Sequence, residues 1–311
     1  MSAPGTPEGG HGPVRDAGAV RDLGPVRGAG AGLGRDPGGD PAGAQRRSRA
    51  ARARQWRLPQ ASLRFVPVFR RHLLVSRKLA LASTMANILD PLIVLLAFGY
   101  GLGRLLPNID GVPYIVFLAA GAVCANSAMV ASFESLYSAF SRMHIQRTWE
   151  SIVNAPVDLD DVLIAEWLWS GAKCLFAGTC IVAVVAATGI SRAPTLALLL
   201  PLATLTGLAI AAIALCFTAL ARGYDFFTYY FTLFLTPMVF LSGVYYPVDQ
   251  LPGWLASASR VLPLSAAVEV TRPLVLGRLP AEPWPALALL AAYALGFFQL
   301  AVVLARRRFA L

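Results

Sequence analysis

Lysine is almost missing from this sequence. Its 311 residues contain two, Lys78 in "VSRKLA" and Lys173 in "SGAKCL". A Walker-type nucleotide site needs a lysine at the end of a glycine loop whose amides cradle phosphates. Neither lysine stands in that setting, so the chain does not bind ATP by that route. Histidine is nearly as scarce: His11, His72 and His144 show no metalloprotease spacing, and no G-x-S-x-G nucleophile elbow occurs. The four cysteines (Cys124, Cys174, Cys180, Cys216) all fall inside apolar runs, without the spacing of a zinc site or a disulfide framework. They read as small hydrophobes. No catalytic residue, metal or cofactor is expected on this chain.

Charge is the next shortage. Only 14% of the residues are charged and 56% are hydrophobic, against about 25% and 45–50% in soluble domains. The apolar excess is concentrated after residue 80, because residues 1–57 are built of Gly, Pro, Ala and Arg. Such a segment buries too little apolar area to offset chain entropy and is expected to be a disordered tail. It lacks the apolar core of a cleaved signal peptide, which leaves targeting to the first span. The net charge of +10 does not imply nucleic acid, since 15 of the 27 basic residues precede position 79 and flank the first apolar run. A charge block so placed reads as a segment on a membrane surface, with no nucleic-acid-reading module beside it.

What is present reads as an all-α polytopic membrane protein. Residues 58–80 are expected to hold an amphipathic interfacial helix, with Leu63, Val66, Phe69 and Leu73 on one stripe and Arg64, Arg71 and Lys78 on another. A spanning helix needs roughly 20 mainly apolar residues. Within a membrane domain at 81–308, six stretches qualify: about 84–106, 113–138, 162–189, 195–220, 227–246 and 284–305. With the N-terminus inside, the inner segments carry 21 basic residues and the outer ones five. That bias places both termini in the cytoplasm. The outer segment 247–283 is apolar but interrupted by Pro252, Pro263 and Pro273, which suits short re-entrant or interfacial helices between spans five and six.

Polar groups then stand out. Asp90, Glu134, Glu166 and Lys173 lie in spans, where ionisable residues are costly and carry a functional presumption. An Asp90–Lys173 pair is expected between spans one and three, while Glu134 and Glu166 are expected to reach the headgroups. In "DLDD" (158–161), Asp158 is read as a helix cap and Asp161 as a first-turn acid favoured by the dipole, in preference to a metal cluster. The inner loop at 139–161 continues the period of span two through Phe133, Leu136, Phe140, Met143 and Trp149, and Pro156 ends it. A short helix displaying Arg147, Trp149 and Glu150 is expected to be a docking surface, because Trp and Arg anchor interfaces.

The six-span order, "RTWESIVNAPVDLDDVLIAEW", "ARGYDFFTYYFTLFLTPMVFLSGVYYPVDQLPGWL" and "LPLSAAVEVTRPLVLG" resemble the permease subunits of type-2 ABC exporters. Within that class the chain is most similar to the nodulation-factor (lipo-oligosaccharide) exporter permeases, over residues 62–308. The resemblance implies a permease of a bacterial cytoplasmic (inner) membrane and a separate ABC ATPase subunit in two copies. It also implies a second permease copy, with the substrate path between the two. The ATPase would grip the loop at Arg147, Thr148, Trp149 and Glu150, near Asp158, with Asp225 as a second contact. Export of hydrophobic drugs fits the same frame. A polytopic acyl or glycosyl transferase would need an acid or histidine constellation, for which "DLDD" is the one source. A proton-coupled secondary transporter would show a repeated half, which the sequence lacks.

Overall fold

The computed structural model describes residues 56–59, 62–78, 80–105, 108–109, 111–155 and 157–309. The expected tail, apart from its last two residues, and Pro156 lie outside the described residues. Backbone amides have no water to bond in hydrocarbon, so apolar runs of this length close their hydrogen bonds within helices.

The order begins with α1 (Phe65–Arg77) and α2 (Ala80–Val94, continued by wide π turns over Leu95–Gly101). A two-stranded antiparallel pair follows, β1 (Asn108–Ile109) with β2 (Val112–Pro113), the single departure from an all-helical chain among the described residues. Next come α3 (Tyr114–Ile145), α4 (Thr148–Val153), α5 (Leu159–Ala187) and α6 (Pro194–Leu220, opening with a 3-10 turn). The chain ends with α7 (Asp225–Leu241), α8 (Gly253–Ser259), α9 (Pro263–Val275) and α10 (Trp284–Phe309).

Five of these helices are long and apolar enough to cross a membrane: Ser83–Gly101 within α2, then α3, α5, α6 and α10. The stretch expected at 227–246 is the shorter α7. It stops because Gly243 adopts φ +75°, a left-handed turn that an L side chain resists. Residues 247–283 form a 3-10 turn (Val248–Gln250) and two α-helices of 7 and 13 residues, α8 and α9, with Pro263 at the first helical position of α9. At about 1.5 Å per residue, neither reaches across a core of about 30 Å. Arg272 of α9 donates from Nη2 to the Gly243 carbonyl at 2.6 Å and lies 4.1 Å from the Phe117 ring centroid, which fastens the α7–α8 turn to α3.

α6 is the centre of the bundle, packed against α10, α5, α3 and α9. Small residues permit that packing. At Gly207 a β-carbon would sit 2.4 Å from Cys174 Sγ, so α5 and α6 approach closely. At Gly121 it would sit 2.4 Å from the Val244 carbonyl oxygen, where rigid backbone crosses the helix. By contrast α2 is only 17% buried across its apolar window, and Met85, Leu89, Ile93 and Leu96 face outward.

α1 occupies the middle of the expected 58–80 helix. It turns Val68 and His72 into the protein against α5 and leaves Val66, Leu73 and Leu74 exposed, as is Leu63 just before it.

Candidate functional site

α3 is 32 residues long, about 48 Å at 1.5 Å per residue. It therefore overruns a bilayer core of about 30 Å and carries its final turns past the apolar level. Those turns are π turns, Glu134–Ser138 and Ser141–Ile145. In a regular α-helix, residues eight apart point about 80° from one another. Turns closed by i→i+5 bonds take up more residues, and here they bring Glu134 and Arg142 onto one face.

A buried charge cluster results. Arg142 donates from Nε to Glu166 Oε1 at 2.8 Å, from Nη2 to Glu166 Oε2, and from Nη2 to Glu134 Oε1 at 2.9 Å. Lys173 Nζ lies 3.6 Å from Glu134 Oε2. The two carboxylates are 7% and 2% exposed for Glu134 and Glu166. Two tryptophans complete their shells: Trp169 Nε1 donates to Glu134 Oε1 at 3.1 Å and Trp149 Nε1 donates to Glu166 Oε1 at 3.0 Å. Two cations thus balance two carboxylates, the condition under which burying charge is tolerable. His72 of α1 stacks on Trp169 with ring centroids 5.8 Å apart and places Nε2 3.5 Å from Glu166 Oε1. Burial holds the His72 pKa below its usual value despite the Glu166 carboxylate, which pulls the other way.

The cluster joins α1, α3, α4 and α5. The α4 helix hangs on it by one side chain, Trp149, which is 2% exposed and stacks on Phe309 of α10 at 6.2 Å. The chain enters α4 through Arg147, the one non-glycine residue with positive φ (49°) among the described residues. A left-handed residue there breaks α3 from α4 and turns the short helix under the bundle.

Several expectations are corrected. Trp149 is not displayed for docking; the turn at Arg147 directs its indole inward, where its N–H meets the buried Glu166 carboxylate. Arg147, which caps α4, and Glu150 are exposed and Thr148 is half-buried; Ser151 and Val153 complete the outer face of α4. Glu134 and Glu166 do not reach out to headgroups. Lys173 pairs with Glu134 and not with Asp90. Asp90 instead lines a separate cleft of about 190 Å³ with Asn126 of α3 and Tyr245.

The "DLDD" residues diverge. Asp158 holds the N-cap position of α5 through its carbonyl, which accepts from the amides of Asp161 and Val162, but its exposed carboxylate makes no cap bond. Asp160 pairs with Arg306 of α10, with Nε to Oδ1 at 2.9 Å. Asp161 is fully buried and accepts from the Ser62 amide at 3.0 Å and hydroxyl at 2.7 Å. These acids tie the start of α5 to α10 and to the segment before α1. Asp225 opens α7 and is exposed, beside Tyr224, which stacks on Tyr137 at 5.9 Å. Arg142, His72 and Trp169 were not singled out for function from sequence. The signal that could have found Arg142 is the presence of two acids, Glu134 and Glu166, in adjacent helices with a basic residue at the same end.

Known proteins resemble this chain over most of its length. The ABC-2 type transporter family matches residues 66–276. Nodulation protein J of Rhizobium meliloti (strain 1021) is 42% identical over 251 residues, covering 81% of this chain and 96% of that protein. Nodulation protein J of Rhizobium leguminosarum bv. trifolii is 41% identical over 251 residues, with 81% and 96% covered. The Bradyrhizobium diazoefficiens (strain JCM 10833 / BCRC 13528 / IAM 13628 / NBRC 14792 / USDA 110) protein of the same name is 38% identical over the same length and shares. A match across two thirds of the chain, on a bundle of long apolar helices with a charged cluster at one end, leaves one assignment: the chain belongs to the ABC-2 type transporter family.

Proposed function

We propose that this chain is the membrane-spanning subunit of an ATP-driven exporter whose hydrolysing subunits are separate polypeptides. One observation carries the reading: the outer face of α4 offers Arg147, Thr148 and Glu150, while its inner face is tied by Trp149 to a carboxylate shared with α3 and α5. A force applied to α4 reaches two long helices through that bond. Family membership supports the partnership, since ABC-2 permeases work with ABC ATPases. In this reading Asp225 supplies a second contact and two ATPase copies act on two permease copies.

The topology has both termini in the cytoplasm, with α7 as the fifth of six spans, in a bacterial inner membrane. The exposed outer face of α2 meets either the second copy or lipid. The cargo is an amphipathic lipo-oligosaccharide or lipid-linked glycan. The resemblance to nodulation-factor exporter permeases supports that class, and so do the exposed aromatic rings Phe133, Tyr229 and Phe240, flat surfaces of the kind on which sugar faces stack. The test is ATP-dependent uptake of labelled lipo-oligosaccharide by inverted vesicles holding this chain and its ATPase. Uptake that needs both chains is expected. Uptake of hydrophobic dyes alone would move the cargo to the drug class, and uptake without any ATPase would refute the division of labour.

A further inference from the structure

Two clefts lie side by side between α1 and α5, and neither takes part in gripping an ATPase. The first, about 190 Å³, is polar: Arg71 and His72 of α1 face Glu134, Arg142 and Lys173 across it. The second, about 210 Å³, is apolar: Leu73 and Ala80 face Trp169, Ala172 and Phe176, with Arg77 at its rim. They share Ser76, Ser83, Trp169 and Lys173 as a common wall. Along α5 the polar side comes first and the apolar side follows toward Phe176, away from the charged start of the helix.

The charges around this pair do not cancel. Arg71, Arg77, Arg142 and Lys173 face Glu134, with Glu166 behind Arg142. Four cations meet two carboxylates. Arg142 and Lys173 take both of those carboxylates. Among the described residues, Arg71 and Arg77 form no ion pair. Arginine is the side chain best shaped to meet a phosphate with paired donors. Beside the excess charge, Leu73 and Phe176 stay 47% and 40% exposed, an apolar wall that in a bilayer meets chains rather than water.

We infer that these clefts form one binding site for an anionic glycerophospholipid of the adjoining leaflet, its phosphate at Arg71 and Arg77 and one acyl chain along Leu73, Ala172 and Phe176. This lipid is not the exported cargo. It wedges between α1 and α5, two of the helices that the buried cluster joins. The site rests on the membrane placement argued above but not on the transport activity.

Native mass spectrometry of the full chain, titrated with phosphatidylglycerol or phosphatidylcholine, tests it. One phosphatidylglycerol per chain is expected, retained in preference to phosphatidylcholine. Each juxtamembrane basic residue contributes about fivefold in binding, so Arg71→Gln with Arg77→Gln is expected to weaken retention roughly 25-fold. Arg70→Gln with Lys78→Gln removes the same charge from α1 outside the clefts and is expected to change retention less than about twofold. Equal weakening by both double variants would reduce the site to diffuse surface charge and overturn it. Equal retention of phosphatidylcholine would do the same. Glycerol 3-phosphate is expected not to compete; displacement of the lipid by it would leave an anion site with no role for the apolar cleft. Binding is read without ATPase or cargo, so a negative result here leaves the export reading standing.

Discussion

Replacing Trp149 by Phe tests the bond on which α4 hangs. An aromatic ring stays to pack on Phe309, while the N–H to Glu166 Oε1 and the second ring of the indole are lost. Hydrogen bonds to charged groups contribute about 1.5–3 kcal/mol. The low end applies, because Oε1 keeps the Arg142 Nε–H at 2.8 Å and is not orphaned. We therefore expect Trp149→Phe to cost at least about 1.5 kcal/mol of unfolding free energy in detergent, with the volume of the lost ring adding to it. Glu166→Gln breaks a buried pair and leaves Arg142 to Glu134 alone, which is expected to cost about 3–5 kcal/mol. The decisive quantity is their interaction. If Trp149 acts through Glu166, the double variant is less destabilised than the sum of the single ones by about 1 kcal/mol or more. Cargo-stimulated ATP hydrolysis by the assembled exporter is expected to fall in both single variants while membrane insertion persists. Strict additivity, or a Trp149→Phe chain as stable as the wild type, would refute the tether.

Arg147 pays the steric cost of a left-handed residue at φ 49°. Arg147→Gly is expected to hold or raise the thermal midpoint, whereas Arg147→Val is expected to lower stability by about 1–2 kcal/mol; equal effects in a melting comparison would count against the turn. Gly121→Ala forces a methyl to within 2.4 Å of the Val244 carbonyl, and overpacking of this kind is expected to cost about 1–3 kcal/mol by denaturant titration. His72 resists protonation in the folded chain because it is buried. The unfolded chain then binds the extra proton as pH falls below about 6.5, so stability present above that pH is lost below it. The difference in stability between wild type and His72→Asn is expected to shrink from pH 7.5 to pH 5.5; a difference independent of pH would show that His72 does not titrate on unfolding.

Long apolar runs are the most legible feature of this sequence, since backbone satisfaction in hydrocarbon leaves them no other regular form. The helices at 113–138, 162–189, 195–220 and 284–305 are all found, with each end within about seven residues of its expected place. Of the apolar positions Phe133, Leu136, Phe140, Met143 and Trp149, the last four are buried while Phe133 is 50% exposed, and a buried apolar position argues against Trp149 as a displayed anchor. Side-chain partners were harder to read. The pairing of Lys173 with Glu134 depends on which faces of α3 and α5 meet, and π turns in α3 rotate Glu134 and Arg142 in a way no 3.6-residue pattern contains. Asp160 was passed over beside Asp158 and Asp161, because its partner Arg306 stands 146 residues away. The α7 helix fell short because an apolar stretch says nothing of the Gly243 turn that ends it.

The central claim is that a partner grips this chain at α4, and accessibility at one residue tests it most directly. Glu150 is exposed on α4 and the four native cysteines are buried, so Glu150→Cys gives a single reactive thiol. Labelling with a membrane-impermeant maleimide is expected from the cytoplasmic side only, and it is expected to be suppressed when the partner ATPase is bound. Labelling from the opposite side of the bilayer, or equal labelling with and without the ATPase, would contradict the claim.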